Sequence, residues 1–284
     1  MLLGEFWGTS AAEGIPAPFC RCEVCMEARE KGGRNCRFRS CFRLSDKIML
    51  DLGADAVAQS RMFGDLAEVE HVLVTHSHDD HLNPHMLMEV MWGKKYCKPV
   101  HYYFTEESYE IVNRWRENSW VLKGKVPDWE KEGTIVFHQL RFGECVQIAD
   151  MKVTPLPGNH IGNVESRAGM YLIELPNGKK LFYGLDSGPY LPETIDALKE
   201  HHIDYFISEV TRGVHQISNL YHMSLYDVRE LVDILYRQGT LDQNSCVYLT
   251  HISHASTHTQ MLEKTEELQF PVPTVVAWDG LRIF

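Results

Sequence analysis

The twelve residues EHVLVTHSHDDH, 70–81, restrict the fold more than any other stretch of the chain. HVLVT is apolar and β-branched, as a buried strand is. It runs into three histidines and two aspartates within seven positions. At the end of a strand, side chains two apart project to the same side, so His76 and His78 can grip one divalent ion. Asp80 and His81 follow in the turn before a helix, whose start is marked by Asn83 as N-cap and Pro84 as first helical residue. From that turn they can point at a second ion a few ångströms away. The spacing His-x-His-x-Asp-His therefore suits two adjacent metals. Asp79 is the odd acid out and is expected to be structural or solvated.

Strand-like runs dominate the first part of the chain, LLGEFWG, CFRLSDKIMLDLG and EHVLVTH. They return in TIVFHQL, CVQIADMKVTPLP, AGMYLIEL and KKLFYGLD. Helical periodicity falls at about 84–92, 106–118, 191–200, 224–238 and 258–268. Strand groups followed by helices, twice over, imply sheets covered by helices on their outer faces. The stretch 105–133 combines Trp115, Trp120 and Trp129 with Arg114, Arg116, Lys123 and Lys125. It reads either as a helical insert forming a lid or substrate wall, or as ordinary helix packing with a solvated face. A net charge of −11 disfavours a surface that coats nucleic acid, because phosphate contact needs clustered Lys and Arg. It leaves room for a small anionic substrate, since bound metal supplies local positive charge. With no apolar run of about 18 residues, no membrane partner is expected, and with no secretory signal at the N-terminus the expected location is the cytoplasm.

In that reducing compartment, closely spaced cysteines suggest metal rather than disulfide. CRCEVC, residues 20–25, supplies Cys20, Cys22 and Cys25, one soft ligand short of a tetrahedral zinc site. A redox Cys-x-x-Cys is the rival reading. In HISH, His251 and His254 are three apart, so if His251 turns to the dinuclear site, His254 can reach a different ion and complete the cysteine site. Another fourth ligand stays open. Cys36, Cys41, Cys97, Cys145 and Cys246 are scattered, as packing cysteines are.

The pattern His-x-His-x-Asp-His after a buried strand resembles the metallo-β-lactamase superfamily. The resemblance covers nearly the whole chain. It implies an α/β fold, an αββα sandwich forming a single domain over 1–284, with the metals at one edge of the two sheets. It also implies a third histidine for the first ion, a bridging aspartate and a final histidine for the second. PLPGNH offers His160, KKLFYGLDSG offers Asp186 and CVYLTHISH offers His251, each at the tip of an apolar run. By that analogy His76, His78 and His160 hold one ion, Asp80, His81 and His251 the other, and Asp186 bridges them. The opening GTSAAEGIPAPFCRCEVC together with the closing HISH is similar to the branch containing the phosphoribosyl 1,2-cyclic phosphate phosphodiesterase of the carbon–phosphorus lyase pathway. A related accessory protein of pyrroloquinoline quinone biosynthesis shares part of this pattern. In that branch a histidine in a Gly-His-x-Ser element contacts the phosphate. Here the matching stretch is LYHMS, giving His222, with Tyr221 in the glycine's place and His215 as the alternative register.

The resemblance implies two divalent ions, Zn or Mn, in the active site and one structural Zn. Two such ions, less Asp80, Asp186 and a bridging hydroxide, leave a site charge of about +1 to meet a phosphodiester's −1. The expected reaction is hydrolysis of a small phosphodiester, above all a cyclic phosphate, with Asp80 and His222 as catalytic residues. The alternatives are a nuclease of tRNA 3′ ends and a cofactor-biosynthesis accessory protein. The sequence says little about quaternary state; a homodimer, the commonest soluble assembly, is the one partner arrangement it leaves open.

Overall fold

A computed structural model describes residues 1–93, 95–118, 125–162, 167–216 and 220–284. The first six strands, β1 (Leu2–Gly8), β2 (Cys41–Ser45), β3 (Ile48–Leu50), β4 (His71–Val74), β5 (Val100–Phe104) and β6 (Ile135–Gln139), form one sheet in chain order. From β3 to β6 the pairing is parallel. The second sheet runs β13-β12-β11-β10-β9-β8-β7, from β7 (Val146–Ile148), β8 (Met151–Ile161), β9 (Arg167–Glu174), β10 (Lys180–Gly184), β11 (Tyr205–Glu209), β12 (Cys246–Thr250) and β13 (Thr274–Val276). Its four strands from β10 to β13 are parallel, and β7 to β9 are antiparallel hairpins.

The apolar pattern of the strands explains the stacking. Strands buried on both faces read as near-continuous apolar runs, and HVLV, KLFYG and CVYLT do so. Phe6, Phe42, Leu73, Tyr171, Tyr183 and Ile207 from both sheets fill the space between them. On the outer face of the first sheet lie α2 (Ala56–Phe63), α3 (Pro84–Gly93), α4 (Glu106–Asn118) and α5 (Val126–Lys131), contributing Ala56, Leu87, Val112 and Trp129 to a second core. On the outer face of the second sheet lie α1 (Glu23–Lys31), α6 (Pro192–Lys199), α7 (Leu225–Arg237) and α8 (His258–Leu268), with Ala28, Leu198, Leu225 and Met261 in a third. The result is the expected αββα sandwich. Among the described residues no helix is long and apolar enough to cross a membrane.

Trp129 is buried in the outer core of the first sheet and Trp115 is partly buried against that core, which favours packing over a lid for these two. Trp120 and Lys123 lie outside the described residues. Of the scattered cysteines, Cys145 is exposed, against expectation, while Cys41 is buried. The helices α1, α2 and α5 and the strands β5, β11 and β13 were not evident in the sequence.

Two contacts lock the sheets together where β4 gives way to the histidine turn. The Tyr171 hydroxyl donates to the Val74 carbonyl, and Gly169 N–H donates to the Thr75 carbonyl at 2.7 Å. Gly169 is needed here, because a Cβ would lie 2.6 Å from Thr105 Cγ2. Tyr171→Phe leaves the buried Val74 carbonyl without that donor and is expected to cost about 1–2 kcal/mol. Urea denaturation checks this, with the midpoint falling and the slope unchanged.

Candidate metal centre

The carboxyl ends of parallel strands are where α/β sheets place their sites. Here the ends of β3, β4, β8, β10, β11 and β12 meet at one edge of the sandwich. Thr75 and His76 directly follow β4, β8 carries His160, and β10 leads through Leu185 to Asp186. His251 directly follows β12. His76, His78, His160 and Asp186 form one group whose ligand atoms lie within 4.8 Å of one another, and Asp80, His81, Asp186 and His251 form a second. All seven residues proposed from the sequence are thus brought together. Asp186 belongs to both groups. Asp79 is exposed and stands outside them.

The donors crowd together, nitrogen against nitrogen and nitrogen against carboxylate. His76 Nε2 lies 2.9 Å from His78 Nδ1, His160 Nε2 3.3 Å from His78 Nδ1, and His81 Nε2 3.2 Å from His251 Nε2. Zinc–nitrogen bonds of about 2.0–2.1 Å in a tetrahedron place neighbouring nitrogens about 3.3 Å apart. Asp186 Oδ2 lies 3.1 Å from His76, 3.5 Å from His81, 3.6 Å from His160 and 3.7 Å from His251. Burial opposes charge on Asp80 and Asp186, yet the imidazoles overcome it and hold both well below the usual carboxylate range. Burial also pushes His160 down to about 3, which keeps it neutral, the form a metal ligand needs. Spacing, burial and donor type all fit a pair of divalent ions.

A second layer orients these donors, and the sequence reading missed it. Asp51, at the tip of the β3 run, accepts from Thr75 N–H at 2.8 Å and Thr75 Oγ1 at 2.9 Å, and contacts His81 Nδ1 at 2.7 Å. Glu209, at the tip of β11, accepts from the Thr211 hydroxyl, which sits 2.8 Å from His251 Nδ1. Burial pushes the Glu209 carboxyl up to about 7. Each arrangement fixes the far nitrogen of a histidine and so aims the near one at the cluster. The available signal was an acid at the end of an apolar strand, the same signal that Asp186 gave. Gly53 lets the chain after Asp51 press against the histidine turn, since a Cβ there would sit 2.0 Å from the Asp80 carbonyl. Asp51, Asp186 and His251 all adopt positive φ, of 58°, 46° and 55°.

His222 stands at the same edge. Its Nδ1 is 3.0 Å from Asp186 Oδ1, and its side chain is 27 % exposed where Asp186 is 4 % exposed. Burial works against its charge, but the Asp186 carboxylate outweighs that and raises its pKa above the ordinary value. Ser224, two residues on, caps α7 in a reciprocal box with Asp227, which fixes the loop. His215 instead contacts the Ala255 carbonyl at 3.0 Å, so the register alternative falls away from the site.

Cys20, Cys22, Cys25 and His254 form a third group within 4.8 Å. His254 Nδ1 lies 3.4 Å from Cys25 Sγ and 3.6 Å from Cys22 Sγ. Zinc–sulfur bonds of about 2.3 Å and a zinc–nitrogen bond of about 2.0 Å imply about 3.5 Å between such ligands. Glu13 Oε1 stands 3.6 Å from His254 Nε2, a further orienting carboxylate. Arg29 donates to the Cys20 and Ala17 carbonyls at 2.8 Å each and holds the loop.

Plasma mass spectrometry of zinc-reconstituted protein is expected to give three ions per chain, two after Cys25→Ser and one after Asp186→Ala. Three ions in either variant would contradict this ligand assignment. Asp51→Asn is expected to weaken binding of the ion at His81 by about 10–100-fold, read by chelator competition with circular dichroism unchanged.

A family model for the beta-lactamase superfamily domain matches residues 46–252, a span that holds all seven His and Asp donors and none of the cysteine site. No curated protein sequence matches the chain at a significant level. Among solved structures, one described as a new diphosphatase from the PhnP family is 18% identical and has a TM-score of 0.72. It covers 99% of this chain and 96% of its own. Zn(2+)-bound PqqB from Methylobacterium extorquens is 16% identical over 100% of both chains, with a TM-score of 0.73. The short form of human tRNase Z is 15% identical, covers 100% of this chain and 99% of its own, and has a TM-score of 0.61. At these identities the likeness is one of fold. With the family model spanning most of the chain and the sandwich matched throughout, the chain belongs to the beta-lactamase superfamily.

Proposed function

We propose that the protein is a metal-dependent hydrolase of a small phosphodiester, above all a cyclic phosphate opened to a monoester. The observation that carries this reading is Asp186, whose Oδ2 is shared by both donor groups while its Oδ1 meets His222. In this reading His76, His78 and His160 hold one divalent ion, Zn or Mn. Asp80, His81 and His251 hold the other, with Asp186 common to both. Such a pair supplies a water of lowered pKa and positive charge for the phosphoryl oxygens. His222, the more exposed partner of Asp186, neutralises a phosphoryl oxygen or delivers a proton to the leaving alkoxide. Asp51 and Glu209 keep His81 and His251 in place while the substrate's charge changes. The cysteine group, held by a structural zinc, ties the N-terminal loop to the segment that carries His251.

A diphosphatase of the PhnP family among the structures of like fold supports hydrolysis at phosphorus. The tRNase Z of like fold favours a second reading, a nuclease of tRNA 3′ ends, against which the net charge of −11 weighs. The PqqB likeness favours a third, an accessory protein of cofactor biosynthesis.

Zn- or Mn-loaded protein is expected to hydrolyse bis(p-nitrophenyl) phosphate and a 2′,3′-cyclic nucleotide and to leave a tRNA with a 3′ trailer intact. His222→Ala is expected to lower kcat about 10²–10³-fold with metal content unchanged. Absence of turnover on every diester with both metals would overturn the phosphodiesterase reading, and cleavage of the tRNA alone would establish the nuclease.

A further inference from the structure

Between the helical layer and the first sheet lies a half-open apolar cleft that takes no part in the metal centre. Its volume is about 220 Å³, and Leu52, Val69, Val72, Met86, Val90 and Tyr102 line it, between α3 and the sheet. The lining is mostly apolar, and Glu89, Tyr96, Cys97 and Tyr102 are the described lining residues with polar side-chain atoms. Tyr102 is 1% exposed, and its hydroxyl has no hydrogen-bond partner among the described residues. Buried tyrosine hydroxyls usually find partners, because an unmet donor in apolar surroundings is costly. Phenylalanine would fill the same space without that cost.

The size and charge of the cavity narrow what could enter. A dry apolar cavity of about 150 Å³ accepts one benzene ring. The cavity here has room for one ring and a short substituent. Glu89, 35% exposed and 3.4 Å from His85 Nε2, is the one carboxylate among the described lining residues, and no Lys or Arg stands among them to attract an anion. We propose that this cavity is a binding site for a small neutral molecule, about one aromatic ring in size, whose single hydrogen-bond acceptor meets the Tyr102 hydroxyl. The occupant rests on elements that flank the histidine turn. Leu52 N–H donates to the His81 carbonyl at 2.9 Å, and Met86 N–H to the Asn83 carbonyl at 3.0 Å. The proposal stands apart from the reading of the metal centre.

Acetophenone and ethylbenzene have nearly the same shape, but only the ketone carries an acceptor. Titration of the intact chain with each, followed by ligand-observed NMR, measures both affinities. Tyr102→Phe is expected to weaken acetophenone about tenfold and to leave ethylbenzene as tight as before. In protein labelled at the methionine methyls, the Met86 resonance is expected to shift on adding acetophenone. Failure of both probes to bind at millimolar concentration would overturn the proposal. So would equal affinity of acetophenone for wild type and Tyr102→Phe, or shifts at other methionines with Met86 unmoved.

Discussion

Five imidazoles stand within 3.7 Å of one carboxylate. His76, His81, His160 and His251 approach Asp186 Oδ2, and His222 approaches Oδ1. Taking so many polar groups out of water is unfavourable unless each finds opposite charge or a bond. The sandwich supplies the geometry for this. Parallel strands from two sheets end at one edge, so groups separated by well over a hundred residues arrive together. The three apolar cores exist to hold those strand ends in register, and the inter-sheet contacts of Tyr171 and Gly169 sit directly behind the histidine turn.

Around this cluster the chain repeats one device. A neighbouring carboxylate or hydroxyl fixes the far nitrogen of a histidine whose near nitrogen faces the other ligand groups. Asp51 and Thr75 do so for His81 and His76, Thr211 backed by Glu209 does so for His251, and Glu13 does so for His254. The same acid that aligns His81 also accepts from the Thr75 backbone N–H, so the turn's path and the ring's tautomer are set together.

Much of this was legible in the chain. The spacing of residues 76–81 carried two donor positions, and the apolar runs ending in His160, Asp186 and His251 carried the rest. The long helices showed their periodicity, and Asn83 accepts from His85 N–H at 2.8 Å as an N-cap should. The parts that stayed hidden share a physical cause. Strands β5 and β11 are short runs whose pairing lies wholly with distant strands, so local pattern says little about them. Helix α1 is strongly polar and begins inside the cysteine loop, where its few buried residues give no stripe. Asp51 and Glu209 look like ordinary acids until the fold sets a histidine beside them. Composition left a lid and ordinary packing both open for the segment of Trp115 and Trp129, because it does not say which face of a helix an indole occupies; Trp129 is buried in the outer core and Trp115 is partly buried against it.

The left-handed backbone at Asp51, Asp186 and His251 has a cost that the rest of the molecule bears. Non-glycine residues in that region are held there against roughly 1–3 kcal/mol each. The polypeptide is therefore least comfortable where its chemistry is concentrated. Glycine or asparagine at these three strand tips would relax the chain while removing or altering the groups that matter. Under selection for stability alone this edge would erode first, and a lineage that no longer needed the centre would drift toward a calmer, emptier rim.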